Sequence, residues 1–400
     1  MATFFPRNCA PSYKVVHNRY KIIDEIGRGS FGLVLKGYDE ATTKYVAIKL
    51  ERVDDNTNGL WRPRSQLKNE DTIYKILRGG QGIAKTFFYG RHQTDMLQYN
   101  VLITELLGKD LSHYFNICNR KFSIKTTLLL ADQIISLIEY VHFKGVIHRD
   151  IKPENFVMGP ENTPLENRLY IIDFGLAKPY RDMSTKVHIT PENQTVGLVG
   201  TARYASVNAL QGKTQSRRDD LEACAYMLLY FLRGELPWQN IPGSTKQEKH
   251  EKICQVKKSL SPNELCIGLP VVFQQFLAYC KGLPFLSEPR YCDLKDSFRV
   301  EFDKLGLEKD TMYDWKYLTG GGSSASMQTQ PSQSQETSSL ERNGSSVEVI
   351  FEWTRAQKPL KGNDSEAFSF GTEAVEDHRG QKITNPKIVA AYLSKQSSKV

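Results

Sequence analysis

The chain lacks the marks of secreted, membrane-spanning or nucleic-acid-coating proteins. Its seven cysteines, Cys9, Cys118, Cys224, Cys254, Cys266, Cys280 and Cys292, form no CxxC pair, and an odd number closes no disulfide framework. Several sit in apolar runs, as Cys224 does in EACAYMLLYF, which predicts reduced core thiols in a cytosolic or nuclear setting. No run approaches the ~18 apolar residues of a membrane span. The leading stretch MATFFPRNCAPSYKVV has no apolar core of the signal-peptide kind. Charge of neither sign dominates, since 53 Lys and Arg against 45 Asp and Glu leave only +8 over 400 residues. That surplus favours acidic partners weakly. Without a basic stripe interleaved with aromatics, no nucleic-acid partner is expected. Internal repeats are also absent.

What is present divides into three stretches. Residues 1–18 read as an N-terminal extension. From Tyr20 to about Gly108, β-branched runs such as KIIDEIG, GLVLKGYD and KYVAIKLERV alternate with turns, and YNVLITELLG reads as a further strand. Within this stretch only NEDTIYKILRG has helical spacing, closed by Gly79-Gly80. From Ser112 to about Leu318 the pattern is helical, with TTLLLADQIISLIEYVHFKG and LEACAYMLLYFLRG apolar on most sides and therefore expected in a core. The fold expected is α+β: a small sheet lobe (19–107) with one main helix on a larger helical lobe (108–318). Beyond Leu318 the low-complexity run TGGGSSASMQTQPSQSQETSS predicts a largely disordered tail, 319–400. In it Val347–Trp353 alternates like a strand and IVAAYL has the length of a short helix.

The first chemical motif is Ile26-Gly27-Arg28-Gly29-Ser30-Phe31-Gly32-Leu33-Val34. A lone GxGxxG is weak evidence, but here the third glycine opens a second strand and not a helix, which disfavours a dinucleotide-binding βαβ unit. A glycine-rich hairpin lets backbone N–H groups approach phosphates with no Cβ in the way. On the next strand Val46-Ala47-Ile48-Lys49 places an ammonium within reach of α- and β-phosphates. Such a lysine calls for a carboxylate partner. Glu70 is the candidate and its neighbour Asp71 the rival, which spacing alone does not exclude.

The stronger signal is His148-Arg149-Asp150-Ile151-Lys152-Pro153-Glu154-Asn155. Phosphoryl transfer needs a carboxylate to orient and deprotonate a hydroxyl, cations for the phosphates, and metal ligands. Asp150 suits the base, Lys152 the transferring phosphate, and Asn155 a magnesium ion. Downstream, Tyr170-Ile171-Ile172-Asp173-Phe174-Gly175 sets Asp173 at the end of a β-branched strand as the second metal ligand. The order and spacing of these motifs resemble those of protein kinases, with ATP and Mg²⁺ as cofactors. The HRDxKPxN form resembles the serine/threonine type.

The stretch from about 18 to 318 is similar more narrowly to the casein kinase I family. The resemblance rests on Gly200-Thr201-Ala202-Arg203-Tyr204-Ala205-Ser206-Val207-Asn208 and Gln215-Ser216-Arg217-Arg218-Asp219-Asp220-Leu221-Glu222. It extends to Glu105-Leu106-Leu107-Gly108, Leu236-Pro237-Trp238-Gln239 and Tyr313-Asp314-Trp315. It implies an adenine pocket of Ile26, Val34 and Ala47 above and Val157 below, with hinge hydrogen bonds from Glu105 to Leu107 and Thr104 as gatekeeper. It implies that Asp220 anchors the catalytic loop, and that Arg203 and Lys249 bind a phosphorylated or acidic residue of a protein substrate. A third family lysine corresponds to Gln194, a departure. Arg217 and Arg218, followed by two aspartates, are expected to pair internally. A cytoplasmic monomer is expected, with nuclear entry left open. A catalytically silent pseudokinase scaffold is the alternative, although Lys49, Asp150 and Asp173 are all present.

Overall fold

The computed structural model describes residues 15–29, 32–53, 65–94, 97–191 and 197–318, with the backbone of 375–376 and 382–383. It divides into a unit of residues 1–327 and a unit of residues 328–400. The described part of the second is one antiparallel pair, Val375–Glu376 with Lys382–Ile383. The low-complexity run, the strand-like stretch 347–353 and IVAAYL lie outside the described residues.

The first unit begins with a six-stranded antiparallel sheet in the order β1-β2-β3-β4-β6-β5. Its strands are β1 (Val15–Val16), β2 (Tyr20–Gly29), β3 (Gly32–Asp39), β4 (Lys44–Val53), β5 (Thr86–Gln93) and β6 (Gln98–Glu105). Alternation sends Leu33, Leu35, Val46, Ile48, Leu50, Val101 and Ile103 to one face, where they form the sheet's own core with Tyr20 and Tyr99. Val16 is fully buried in that core, so the sheet starts inside the expected extension. Strand β5 escaped the sequence reading because TFFYGRHQ is a half-exposed edge whose alternation is blurred by Gly90 and polar residues. On the opposite face the register aligns Val34 with Lys49, Lys49 with Leu102, and Ala47 with Thr104.

Helix α1 (Gln66–Leu77) is N-capped by Ser65, whose side chain accepts from the Lys68 N–H. Its buried residues Leu67, Ile73, Tyr74 and Leu77 join the large apolar cluster of the helical lobe, not the sheet's own core. That lobe contains α2 (Leu111–Ile117), α3 (Ile124–Phe143), α4 (Val207–Leu210), α5 (Arg217–Arg233), α6 (Lys246–Ser259), α7 (Pro262–Leu265), α8 (Val271–Gly282), α9 (Tyr291–Lys304) and α10 (Asp314–Leu318). Helix α5 is the axis of the lobe, buried at every position except Arg218 and Arg233. It stops at Gly234, whose φ of 86° is cheap only for glycine. Short pairs β7 (Val146–Ile147) with β10 (Lys178–Pro179) and β8 (Phe156–Met158) with β9 (Leu169–Ile171) carry the loops that face the sheet lobe. Among the described residues no helix is long and apolar enough to cross a membrane.

Candidate active site

Three elements deliver one charge each to a common point. Lys49 projects from β4 on the face away from the sheet core, and its Nζ donates to Glu70 Oε2 at 2.6 Å and Asp173 Oδ1 at 2.9 Å. Glu70 comes from the buried side of α1, while its rival Asp71 bonds Lys75 at 2.6 Å. Burial alone would lower Lys49, but the two carboxylates outweigh it and raise it. Burial pushes Glu70 up to about 7 because one ammonium is shared between two acids. Asp173 is held below its ordinary value; burial opposes its charge and Lys49 overcomes that. The result is a buried excess of carboxylate.

Asp173 adopts left-handed backbone geometry, φ 63° and ψ 67°, an uncommon state for a non-glycine residue. The following turn, Phe174–Leu176, is packed by Phe174 against Tyr74 of α1, with ring centres 5.1 Å apart. Strain of this kind persists only where surroundings over-determine it. Here His148 donates from Nε2 to Ile172 O at 3.0 Å, and Ile172 N donates to Asn155 O at 3.0 Å. The loop 148–155 and the turn that Asp173 opens are thus zipped together.

Asp150 is buried and held from two sides. Lys152 Nζ donates to its Oδ2 at 2.6 Å and Thr201 Oγ1 to its Oδ1 at 2.7 Å. Asn155 spends its Nδ2 on Asp150 O at 2.7 Å, which leaves the amide oxygen as a possible metal ligand. Beneath the loop, Asp220 accepts from His148 N at 2.7 Å and Arg149 N at 2.9 Å. It also bonds His142 Nε2 at 2.8 Å, while Tyr291 OH bonds His142 Nδ1 at 2.6 Å. Burial holds His142 below the ordinary histidine value, so the ring is neutral at pH 7. Asp220 stays ionised although burial opposes it, because His142 and the loop amides hold the charge.

The protein kinase domain family model matches residues 20–280. The chain belongs to the protein kinase domain family. The match begins with β2 and ends within α8, spanning β2 to β6, α1, Asp150 and Asp173. ATP and Mg²⁺ are the typical cofactors of such a kinase domain, and protein its substrate.

The nucleotide-binding run fits that cofactor pair unevenly. Gly27 pairs with Val34 and Gly29 with Gly32 across the hairpin, while Ser30 and Phe31 lie outside the described residues. A Cβ on Gly32 would lie 1.9 Å from Leu50 O, so this glycine is required by the neighbouring strand whatever binds. Leu33 turns into the sheet core and offers a nucleotide only backbone. Arg28 bonds Glu25 Oε2 at 2.9 Å on the outer surface. Ile26 is half-exposed, Val34 and Ala47 share the Lys49 face, and Val157 is buried on β8. In the hinge, Glu105 is bound to Lys85 through backbone N–H and side chain, and Leu107 packs on the large cluster. A divalent cation fits the carboxylate excess at Asp173 and the amide oxygen of Asn155.

Sequence reading missed three residues. Thr201 stood inside a motif quoted for family likeness, but at 51 residues from Asp150 nothing local in the sequence marked their contact. His142 and Lys257 carried no signal. Lys257 is fully buried and donates to Ala202 O, Arg203 O and Ala205 O at 3.2, 3.0 and 2.6 Å. Burial pushes it down to about 7. It staples the segment carrying Arg203 to α6, the helix carrying Lys249. Arg203 lies 5.5 Å from the Tyr230 ring centre, and Lys249 is exposed. Gln194 lies outside the described residues. The expected pairing of the two arginines needs correction. Arg218 reaches Asp219 at 3.7 Å, but Arg217 donates to Tyr180 OH and Leu286 O, because Asp220 points inward to the catalytic loop.

Proposed function

We propose that this chain is a serine/threonine protein kinase of the casein kinase I type, acting on acidic or phosphate-primed protein segments. The observation that carries the reading is Asp150, clasped by Lys152 and Thr201, in a loop zipped to the turn that pairs Asp173 with Lys49. Asp150 orients the incoming hydroxyl and accepts its proton as the new oxygen–phosphorus bond forms and the bond to the leaving ADP oxygen breaks. Lys152 offsets charge on the transferred group, and Lys49 holds the α- and β-phosphates. Asp173 and Asn155 would hold magnesium, which would neutralise charge on the phosphates. The HRDxKPxN form, with Lys152 bonded to Asp150, supports serine and threonine over tyrosine.

Arg203 and Lys249 would receive the substrate's anion. Neither pairs with a carboxylate among the described residues, so their charge is available to an outside group. The Ser206-Val207-Asn208 triplet that supports the narrower family reading performs local work. Ser206 caps α4 and donates to Asp219 at 2.6 Å, and Val207 N donates to Glu222 at 3.1 Å.

The test is phosphate incorporation from Mg-ATP into an acidic serine-rich protein, comparing wild type with Asp150→Asn. Transfer to serine by wild type alone is expected. Equal incorporation by both, or none by wild type, overturns the enzyme in favour of a scaffold.

A further inference from the structure

Asn69 precedes Glu70 on α1 and takes no part in the chemistry above. Its Nδ2 lies within hydrogen-bonding distance of three carbonyl oxygens in one turn: Phe174 O at 3.3 Å, Gly175 O at 3.1 Å and Ala177 O at 3.0 Å. These oxygens belong to the turn that Asp173 opens in its left-handed conformation. A carboxamide has two N–H donors, enough to bond two carbonyls and share with the third. Phe174 O also accepts from Ala177 N at 3.0 Å, so without Asn69 it is the carbonyls of Gly175 and Ala177 that lose their side-chain donor, a costly change in a half-buried place.

The same helix is registered at its start. Glu51 of β4, two residues beyond Lys49, accepts from Gln66 N at 2.8 Å and Leu67 N at 3.3 Å, and Ser65 Oγ donates to it. Asn100 of β6 donates to Glu51 Oε2 at 2.9 Å and Ser65 Oγ at 3.1 Å. Glu51 thus ties the first turn of α1 to the strand that bears Lys49. Asn69 ties the next turn to the segment that bears Asp173. Rotating the helix by one residue, about 100°, would break both ties together with the Glu70–Lys49 pair.

We propose that Asn69 is a positioning residue that couples α1 to the turn after Asp173, so that Glu70 and Asp173 reach Lys49 together and the affinity for magnesium-nucleotide is set by that tie. This rests on reading Asp173 as a metal ligand. The tie has an electrostatic signature: Asn69→Leu deletes the donor, whereas Asn69→Asp turns it into an acceptor facing three carbonyl oxygens. Such a carboxyl is pushed up by its surroundings and, once protonated, regains one O–H donor.

The experiment uses the full chain and both variants, after melting curves show that each folds. Amide hydrogen exchange of residues 173–177 is measured without nucleotide, and KM for Mg-ATP and for an acidic serine peptide from pH 5.5 to 8. Both substitutions are expected to speed exchange in that segment. Both should raise KM for Mg-ATP about three- to thirtyfold, leaving the peptide KM near wild type. Relative to wild type, Asn69→Asp recovers as pH falls and Asn69→Leu does not. Wild-type exchange and KM in both variants, or identical behaviour of the two at every pH, overturns the proposal. Should Asn69→Leu fail to fold, Asn69→Asp compared with itself at low and neutral pH carries the test. If wild type transfers no phosphate while exchange still responds to Asn69, the tie stands and the kinase reading falls. If wild type is active and neither readout responds, the tie falls alone.

Discussion

Lys49 and Arg203 are cations of one folded unit that handle their charge in different ways. Lys49 is committed inward, bonded to Glu70 and Asp173, as Lys152 is to Asp150. Arg203 has its carbonyl fixed by two donors, and its guanidinium meets tyrosine but no carboxylate among the described residues. Trp238 Nε1 at 2.7 Å and Lys257 Nζ at 3.0 Å both donate to Arg203 O, while the guanidinium lies near the rings of Tyr204 and Tyr230. Internal pairs hold reacting groups in place before a substrate arrives, which is what positioning catalysis requires. A cation with no carboxylate partner keeps its attraction for an external anion. The first region spends its charge on geometry, and under the proposed function the second keeps its charge for recognition.

The largest way to test this contrast is Asp150→Asn. It is expected to lower kcat by about 10²–10⁴ in initial-rate assays while the melting temperature stays near wild type. A loss below tenfold would place the base elsewhere. Next comes Lys49→Met, which leaves Glu70 and Asp173 facing each other without a shared cation. Denaturant titration should show a loss of about 1–3 kcal/mol, and Mg-ATP should no longer raise the melting temperature. Unchanged stability would mean that the internal pairs do not organise the cluster.

The third test uses pH. Glu70 stands at about 7 in the fold against an ordinary 4.5, so the folded state binds the extra proton. Its contribution is fully present below about 4.5 and is lost as pH rises through 7. Wild-type stability should therefore decline across that window by about 1–3 kcal/mol more than that of Glu70→Gln. Parallel curves for the two proteins would remove the carboxylate excess from the account. The smallest effect belongs to the recognition side. Arg203→Ala with Lys249→Ala should raise KM for an acidic peptide about tenfold, with kcat unchanged and stability within about 0.5 kcal/mol of wild type. A fall in kcat instead would show that these cations serve the chemistry as well.

Much of the architecture could be read before any coordinates. The runs KIIDEIG, GLVLKGYD and KYVAIKLERV became β2, β3 and β4, and both long apolar stretches became the buried helices α3 and α5. Strong periodicity and glycine stops are local properties, so they survive folding unchanged. Weak periodicity does not, which is why β5 and the short β1 went unread. At the site, spacing left Glu70 and Asp71 equal, and helix rotation chose between them. The run of nine residues at the hairpin looked uniform in sequence, yet Leu33 faces the sheet core while Val34 faces Lys49. Neither Asn69 nor Lys257 had any local signal, since each acts on backbone carbonyls distant along the chain.

By itself the sequence determined the order of motifs, the two kinds of lobe and the residue types available for phosphoryl transfer, because hydrophobic period and turn chemistry are written into neighbouring residues. Only the tertiary structure decided which carboxylate meets Lys49, which hydroxyl clasps Asp150 and which cations have no acid partner among the described residues. Those outcomes depend on the rotation of helices and on contacts between segments 21, 51 and 124 residues apart, as in the bonds of Lys49 to Glu70, Thr201 to Asp150 and Lys49 to Asp173.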